Sequence, residues 1–154
     1  MLKTHLPNAA ATRALGARLA PVLAPGMSLF LRGDLGCGKT TLVRGVLSGL
    51  GYKGRVKSPT YSLVELYAVS RLNLYHFDFY RFHDAKEWRD TGFNECFNDT
   101  SVCFVEWPEN AARLLPDADL DIAFEFAGDG RDLSISAGTG NGKACLKRMI
   151  QTPL

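Results

Sequence analysis

Residues 33–40 carry the residue types and the spacing of a phosphate-binding loop. They read Gly-Asp-Leu-Gly-Cys-Gly-Lys-Thr and fill every fixed position of the pattern G-x-x-x-x-G-K-[ST]. Glycines let backbone N–H groups turn toward a polyphosphate, Lys39 brings positive charge to its β- and γ-phosphates, and the Thr40 hydroxyl is placed to bind Mg²⁺. The loop predicts a site for a nucleoside triphosphate and Mg²⁺, with contacts from Gly33, Asp34, Leu35, Gly36, Cys37, Gly38, Lys39, Thr40 and Thr41.

The segments on either side of the loop are those that the motif requires. An apolar run at residues 27–32 predicts a strand that ends at the loop, and helical spacing at 41–47 predicts a helix that follows it. The N-terminus of that helix adds its dipole to the anion site. A strand, a loop and a helix in this order argue against a chance match of the pattern.

A carboxylate follows a second buried strand. Residues 102–105 are all apolar, which predicts a central strand buried on both faces, and Glu106 comes directly after them. The carboxyl ends of parallel strands meet at one edge of a sheet, where ligands bind. We therefore expect Glu106 beside the loop, on the Mg²⁺ side of the site. A solvated charge at the end of a strand is the alternative.

A second carboxylate, Asp78, lies in an aromatic run. With the two-residue period of a strand, His76, Asp78 and Tyr80 share one face. A carboxylate in such apolar company is costly without a partner, so we interpret Asp78 as a catalytic carboxylate near Mg²⁺ or the attacking water. The alternative is a structural carboxylate paired with Arg81 or His76, and His76 itself is interpreted as structural.

Ser58, Pro59 and Thr60 follow the predicted loop helix, where segments that sense a nucleotide often lie. Pro59 stiffens this segment, and we interpret the Thr60 hydroxyl as a group that holds the γ-phosphate or Mg²⁺ and releases it after hydrolysis. An ordinary Ser-Pro turn at the start of a strand is the alternative.

The composition is that of one globular domain. The chain has 154 residues, of which 46% are hydrophobic and 22% charged, enough to bury a core. It has no apolar run of membrane-spanning length and no recognisable signal peptide, and its four cysteines form no C-x-x-C pair. These features predict a cytoplasmic protein with free thiols, without membrane contact, and with one domain at residues 1–137 followed by a short tail at 138–154.

The remaining patterns predict an α/β fold. Residues 144–150 are expected to form one or two helical turns. The elements together predict a P-loop NTPase-like three-layer sandwich, whose mixed sheet has a parallel core and antiparallel additions. The other predicted elements are an edge strand at 3–6, a helix at 9–23 capped by Asn8, strands at 61–68 and 72–80, a helix at 84–89, and a hairpin at 120–126 and 131–137.

Four motifs, in this order, resemble those of the TsaE (YjeE) family. The phosphate loop is generic, whereas Ser-Pro-Thr, His-Phe-Asp-Phe-Tyr-Arg and Glu-Trp-Pro are specific to the family. The likeness extends from the first helix to about residue 137. The motifs are the loop at 33–41, Ser-Pro-Thr-Tyr-Ser-Leu-Val-Glu at 58–65, Leu-Tyr-His-Phe-Asp-Phe-Tyr-Arg at 74–81, and Val-Glu-Trp-Pro at 105–108.

The resemblance implies a small Mg²⁺-dependent ATPase of bacterial tRNA threonylcarbamoyladenosine biosynthesis. Family members act with the proteins TsaB and TsaD. TsaD transfers the threonylcarbamoyl group to the adenosine next to the anticodon, and ATP hydrolysis by the family member supports repeated turnover. The chain is thus expected to hydrolyse ATP slowly without its partners and to meet tRNA indirectly, through the TsaB–TsaD complex.

The resemblance also implies roles for the residues that could do chemistry. Lys39 and the loop would hold the phosphates, and Thr40 and Glu106 would hold Mg²⁺. Asp78 would be the catalytic carboxylate, and Thr60 would sense the nucleotide.

Further residues are implied around the nucleotide base. Ala9, at the start of the first helix, and Arg131, in the last hairpin, would close the adenine site, and Trp107 would lie near the nucleotide. The family often has an acidic residue near Ala9, so a contact there would use the backbone or the methyl group. Cys37 replaces a usual small residue and is expected to be tolerated.

A nucleotide-gated binding module with negligible hydrolysis of its own is the alternative function, because no arginine finger stands out in the sequence. A small-molecule kinase is disfavoured because little chain remains for a lid and an acceptor pocket. A GTPase is disfavoured because the sequence has no Asn-Lys-x-Asp motif.

The formal net charge of +2 is too small to predict nucleic-acid binding from bulk electrostatics. Lys53, Arg55 and Lys57 form a basic turn that we interpret as a solvated loop. Direct contact with tRNA through this turn is the alternative.

Overall fold

A seven-stranded mixed sheet lies at the centre of the molecule in a computed structural model, which describes residues 1–151. The strand order is β1-β7-β6-β2-β5-β4-β3. Strand β2 runs parallel to β5 and β6, and β4 runs parallel to β5, whereas the pairs β1–β7, β6–β7 and β3–β4 are antiparallel. The predicted parallel core with antiparallel additions is confirmed. The strands are β1 (Leu2–Leu6), β2 (Ser28–Arg32), β3 (Val64–Val69), β4 (Leu72–Asp78), β5 (Ser101–Glu106), β6 (Leu120–Ala127) and β7 (Gly130–Ala137).

Helices cover both faces of this sheet. The α-helices are α1 (Ala9–Leu19), α2 (Lys39–Gly49), α3 (Ala85–Thr91) and α4 (Gly140–Gln151), and short 3₁₀ turns lie at Ala20–Val22, Phe93–Cys96 and Pro108–Ala111. Alternate residues of a strand point to opposite faces. Accordingly, Leu29 and Leu31 of β2 join one core with α1, α2 and α4, whereas Phe30 joins a second core with α3. This arrangement is the predicted three-layer sandwich.

Helix α1 begins as predicted but ends earlier. The side chain of Asn8 caps it by accepting a hydrogen bond of 2.9 Å from the Ala11 N–H. The helix ends at Leu19, and a 3₁₀ turn at Ala20–Val22 replaces the predicted last turn. Pro21 within that turn has no N–H to continue the α-helical ladder.

The C-terminal helix is longer than the sequence predicts. Helix α4 has 12 residues instead of one or two turns, and its buried Cys145, Leu146 and Met149 belong to the same core as α1 and α2. Its start is fixed by Thr139, whose hydroxyl accepts a hydrogen bond from the Gly142 N–H at 3.0 Å. The glycines at 138–142, which suggested a tail, lie at this junction, and residues 152–154 of the predicted tail lie outside the described residues.

At the open end of the β3–β4 hairpin, β3 begins later and β4 ends earlier than predicted. Strand β3 begins at Val64, because residues 61–63 form a turn in which Leu63 has a φ of 70°. Ser70 and Arg71 also have positive φ angles, of 50° and 65°, as a tight two-residue hairpin connection requires. The turn at 61–63 keeps the preceding Thr60 out of the sheet and near the end of β4.

Helices α1 and α2 touch almost backbone to backbone. A Cβ atom on Gly45 would lie 2.1 Å from the carbonyl oxygen of Arg13, and one on Gly16 would lie 2.4 Å from that of Leu42. Both distances are far below van der Waals contact, so only glycine fits. Because α2 begins at Lys39, this contact fixes the helix that carries the end of the phosphate loop.

Within the described part of the chain, none of the helices combines the length and the apolar character needed to cross a membrane. All four cysteines are free thiols.

A methyl group at Gly45 should destabilise the fold. Gly45→Ala forces a Cβ against the Arg13 carbonyl, a backbone atom that cannot turn away. We expect the free energy of unfolding to fall by about 1 to 3 kcal/mol, measured by urea denaturation. Gly140→Ala is the matched control, because a Cβ there meets no atom within 4 Å. Equal stability of the two variants would contradict the close contact.

Candidate nucleotide-binding site

The phosphate loop joins the end of β2 to the start of α2. Its backbone has positive φ angles at three glycines: 144° at Gly33, 78° at Gly36 and 112° at Gly38. Residues with a side chain rarely adopt such φ angles. A Cβ at Gly33 would also lie 2.9 Å from the Phe124 carbonyl oxygen. These glycines therefore give the loop a conformation that turns its N–H groups inward, at the N-terminus of α2.

Lys39 is buried at 4% exposure and lies between the loop and Trp107. Its ammonium donates a hydrogen bond to the Gly33 carbonyl and lies 4.2 Å from the centre of the Trp107 ring. The structure thus brings Trp107 to the phosphate loop. Its backbone has a φ of 57°, a costly conformation for an aromatic residue, and strain of this kind is common at binding sites.

Glu106 is the centre of the polar contacts at this edge of the sheet. Its side chain is buried, and its Oε2 accepts a hydrogen bond of 3.0 Å from the Thr40 hydroxyl. The same oxygen lies 2.5 Å from Nε2 of His76. Glu106 is therefore not a solvated charge at a strand end, since it ties β5 to α2 and to β4.

Asp78 lies directly beside Glu106, because the two residues are paired in the register of β4 and β5. Its Oδ1 accepts a hydrogen bond of 2.9 Å from the Tyr80 N–H, and its Oδ2 accepts one of 3.4 Å from the Thr60 hydroxyl. Burial raises the pKa of Asp78, the Tyr80 N–H opposes this rise, and the negative charge of Glu106 adds to it. Hydrogen bonds therefore hold the Asp78 carboxylate in place, and its raised pKa gives it a higher proton affinity than an exposed carboxylate.

Neither of the two predicted structural partners is bonded to Asp78 among residues 1–151. Arg81 instead lies over the ring of Tyr61, with its guanidinium carbon 4.5 Å from the ring centre. His76 is bonded to Glu106.

The segment that contains Thr60 folds over Asp78. The Thr60 and Ser58 hydroxyls are 2.8 Å apart, and the Asp78 N–H donates to the Leu63 carbonyl at 2.9 Å. Thr60 therefore lines the same cleft as the loop, Asp78 and Glu106, and this cleft has a volume of about 220 Å³. The cleft is lined by Leu35, Gly36, Gly38, Lys39, Thr40, Thr41, Ser58, Thr60, Asp78 and Glu106.

A second, smaller cleft of about 130 Å³ lies behind the loop and contains the residues predicted around the base. Ala9 and Arg131 both line it, together with Gly36 and Thr41, which also line the first cleft. The Arg131 Nε donates to the Cys37 carbonyl at 3.1 Å, and its guanidinium lies 4.4 Å from the centre of the Phe126 ring. The two clefts thus adjoin each other at the loop.

The functional residue that the sequence interpretation undervalued is His76. Its ring is fully buried, its Nε2 is bonded to Glu106, and its Nδ1 has no hydrogen-bond partner among the described residues. The sequence held one clue, because the two-residue period of a strand places His76 and Asp78 on the same face. The structure adds that Asp78 pairs with Glu106. That pairing depends on the register of β4 against β5, which the sequence does not reveal.

The oxygen atoms of Thr40 and Glu106 are suitable ligands for Mg²⁺. A hydroxyl and a carboxylate oxygen are the hard ligands that Mg²⁺ prefers, and they lie 3.0 Å apart at the N-terminus of α2. The described residues contain no group of three or more His, Cys, Asp or Glu side chains that could hold a metal ion. Mg²⁺ is usually held by one or two protein groups together with substrate phosphates and water.

Comparisons with known proteins agree on one family. The family model described as "Threonylcarbamoyl adenosine biosynthesis protein TsaE" matches residues 6–134. The chain is 39% identical to the tRNA threonylcarbamoyladenosine biosynthesis protein TsaE of Haemophilus influenzae over 92% of its length and 93% of the relative's. It is also 39% identical to the protein of that name from Bacillus subtilis, over 88% of its length and 85% of the relative's.

A solved structure shares the fold. The crystal structure of Bacillus subtilis YdiB superimposes with a TM-score of 0.81 at 31% sequence identity, over 97% of this chain and 94% of that one.

Removal of His76 should destabilise the protein much more than removal of an exposed histidine. His76→Ala leaves the buried Glu106 carboxylate without its shortest hydrogen bond, and we expect a loss of about 3 to 5 kcal/mol in the free energy of unfolding. His76→Gln should recover part of this loss, because its amide can donate to the carboxylate. Denaturant titration measures both.

His5 is the matched control. It forms a 2.8 Å pair with Asp132 at the surface, where the two side chains are 53% and 63% exposed. His5→Ala should cost less than about 1 kcal/mol. Similar losses for His5→Ala and His76→Ala would contradict the role given to the buried pair.

Proposed function

The chain belongs to the TsaE family, and from this membership we propose that it is a Mg²⁺-dependent ATP hydrolase that serves threonylcarbamoyladenosine formation in tRNA. The relatives from Haemophilus influenzae and Bacillus subtilis carry that pathway in their names. One observation supports hydrolysis above mere binding: Asp78 and Glu106 share a cleft with Thr60 and the phosphate loop. A loop alone binds a nucleotide, whereas turnover also requires groups that place the metal ion and the water.

The loop and α2 supply the phosphate site in this proposal. Backbone N–H groups between Gly33 and Gly38, with the N-terminus of α2, attract the phosphate oxygens. The Lys39 ammonium has three N–H donors, so it can bind phosphate oxygens while it stays near the Trp107 ring. Ala9 and Arg131, which line the adjoining cleft, are the proposed contacts of the adenine.

Thr40 and Glu106 are the proposed holders of Mg²⁺. When bound, Mg²⁺ neutralises the charge that develops on the transferred phosphoryl group. His76 fixes the orientation of the Glu106 carboxylate through the 2.5 Å contact at Oε2. Such supporting hydrogen bonds keep a ligand in its productive orientation.

Asp78 is the proposed group that orients the attacking water. Its raised pKa makes it a better proton acceptor than an exposed carboxylate, and the Tyr80 N–H holds its other oxygen. Thr60 bonds to Asp78 and lines the same cleft as the phosphate loop, so its hydroxyl can respond to whether the γ-phosphate is bound. A change in that contact would move the segment at 58–63.

We further propose that the chain works with TsaB and TsaD, and that it hydrolyses ATP slowly without them. Among the residues that line the catalytic cleft in the described chain, Lys39 is the only lysine or arginine. The absence of a second cation lowers the expected rate, because an arginine finger contributes about 10³ to 10⁵ in kcat. The same observation favours the second candidate, a nucleotide-gated module with negligible hydrolysis of its own.

Steady-state ATPase measurements with and without TsaB and TsaD test this proposal. We expect the partners to raise the rate of the wild-type chain and Asp78→Asn to lower the stimulated rate by about 10² to 10⁴, with the affinity for ATP retained. Asp132→Asn is the control, because this exposed carboxylate pairs with His5 away from the cleft.

Three results would count against the proposal. A rate that the partners leave unchanged and negligible would favour the nucleotide-gated module. A normal rate in Asp78→Asn would remove the catalytic role of this carboxylate, and loss of folding in that variant would favour a structural role.

A further inference from the structure

The small net charge conceals a strong separation of charge along the chain. Residues 1–64 contain nine lysines and arginines but one acidic residue, Asp34, whereas residues 65–154 contain nine basic and fifteen acidic residues. The fold converts this separation along the sequence into a separation in space, because the first part supplies α1 and α2.

The helices on the two faces of the sheet differ in the same way. None of the three helices α1, α2 and α4, all within the described residues, contains an aspartate or a glutamate. On the other face, α3 carries two acidic and two basic residues, and each of the two 3₁₀ turns that pack near it carries one acidic residue. The acidic residues in these elements are Glu87, Asp90, Glu95 and Glu109.

Five exposed basic residues lie in the helices and the turn of this face, and we call them the basic surface. Its members are Arg13 of α1, Arg44 of α2, and Lys53, Arg55 and Lys57 in the turn that follows α2.

Backbone and ring contacts connect the segments that carry these residues. The Arg13 backbone lies against Gly45, the neighbour of Arg44. The charge of Arg44 reaches the phenol of Tyr67, whose hydroxyl accepts a hydrogen bond of 2.9 Å from the Lys57 N–H. Tyr52 packs against Tyr67, with ring centres 5.0 Å apart, and donates to the Arg55 carbonyl at 3.4 Å.

All five side chains of the basic surface are exposed, and none forms an ion pair with any residue in 1–151. The carboxylate of Glu65 lies near Tyr67 but accepts a hydrogen bond from Ser62. By contrast, Arg32 on the opposite face binds both oxygens of Asp121. The positive charge of the basic surface is therefore uncompensated by the folded chain itself.

We propose that the basic surface binds the phosphate backbone of RNA directly, and that this RNA is tRNA. Unpaired lysines and arginines on one face are the electrostatic footprint of nucleic-acid binding. Three of the five residues are arginines, whose planar forks suit phosphate oxygens. The choice of tRNA rests on the proposed function, whereas the choice of RNA rests on the charge pattern.

The surface is poorly suited to a membrane. Membrane-surface helices place large apolar residues beside their basic residues. The exposed large apolar residues of the described chain lie outside both α1 and the span 39–57. They are Met1, Leu35, Tyr61, Leu66, Tyr80, Phe126 and Ile150.

Fluorescence anisotropy with a labelled, unmodified tRNA transcript at several salt concentrations tests the proposal. The triple variant Arg44→Gln, Lys53→Gln, Arg55→Gln should bind more weakly. The slope of log affinity against log salt concentration should become shallower by about 2 to 3, since each lost phosphate contact removes about 0.7 to 0.9. The matched control is the triple variant Lys86→Gln, Arg89→Gln, Arg113→Gln, which neutralises three exposed basic residues outside α1, α2 and the 52–57 turn. It should bind tRNA as the wild type does.

Three results in these comparisons would overturn the proposal, as would the failure of the wild-type chain to bind tRNA. They are an unchanged slope in the basic-surface variant, an equal loss in the control variant, and tighter binding to phosphatidylglycerol vesicles than to tRNA. ATP binding, measured on the same samples, verifies that each variant is folded. A wild-type chain that binds and hydrolyses ATP but not tRNA would overturn this inference and leave the proposed function intact. A wild-type chain that binds tRNA but never hydrolyses ATP would contradict the proposed hydrolysis and leave this inference intact.

Discussion

The buried Glu106 carboxylate is the interaction on which the site depends. A carboxylate removed from water is costly unless hydrogen bonds satisfy it, and Glu106 is satisfied by Thr40 of α2 and His76 of β4. The bond to Thr40 holds the first turn of the loop helix against the end of β5. The bond to His76 fixes β4 beside it. One side chain thus joins α2, β5 and β4, the three elements that carry Thr40, Glu106 itself and Asp78.

The rest of the fold keeps these three elements in register. Four buried apolar residues hold β5 in the sheet up to Glu106, and the pairing of β4 with β5 brings Asp78 beside it. On the helical side, the glycine contact between α1 and α2 fixes the axis of the loop helix. The positions of Thr40 and Asp78 are therefore set by contacts outside the site itself.

The parts that could be predicted from the sequence are those with local causes. The phosphate loop is recognisable because its backbone requires glycine at fixed positions, and β5 because a strand buried on both faces is continuously apolar. The His76–Glu106 contact could not be predicted, since it depends on the register between strands that are far apart in sequence. Helix α4 was underestimated because its glycines signal a tail, whereas the contact with Asp119 through Thr139 is tertiary. The sequence reveals the basic turn of Lys53, Arg55 and Lys57 but not that Arg13 and Arg44 lie on the same face, because net charge carries no information about which residues a fold places on one face.

The central claim is that Glu106, held by His76, completes a Mg²⁺ site with Thr40. Titration of ATP binding with Mg²⁺, followed by Trp fluorescence or calorimetry, tests it most directly when wild type and Glu106→Gln are compared. We expect Mg²⁺ to strengthen ATP binding to wild type and to have little effect on Glu106→Gln, whose neutral amide is a poor ligand for the ion. An identical Mg²⁺ titration for the two proteins would contradict the claim.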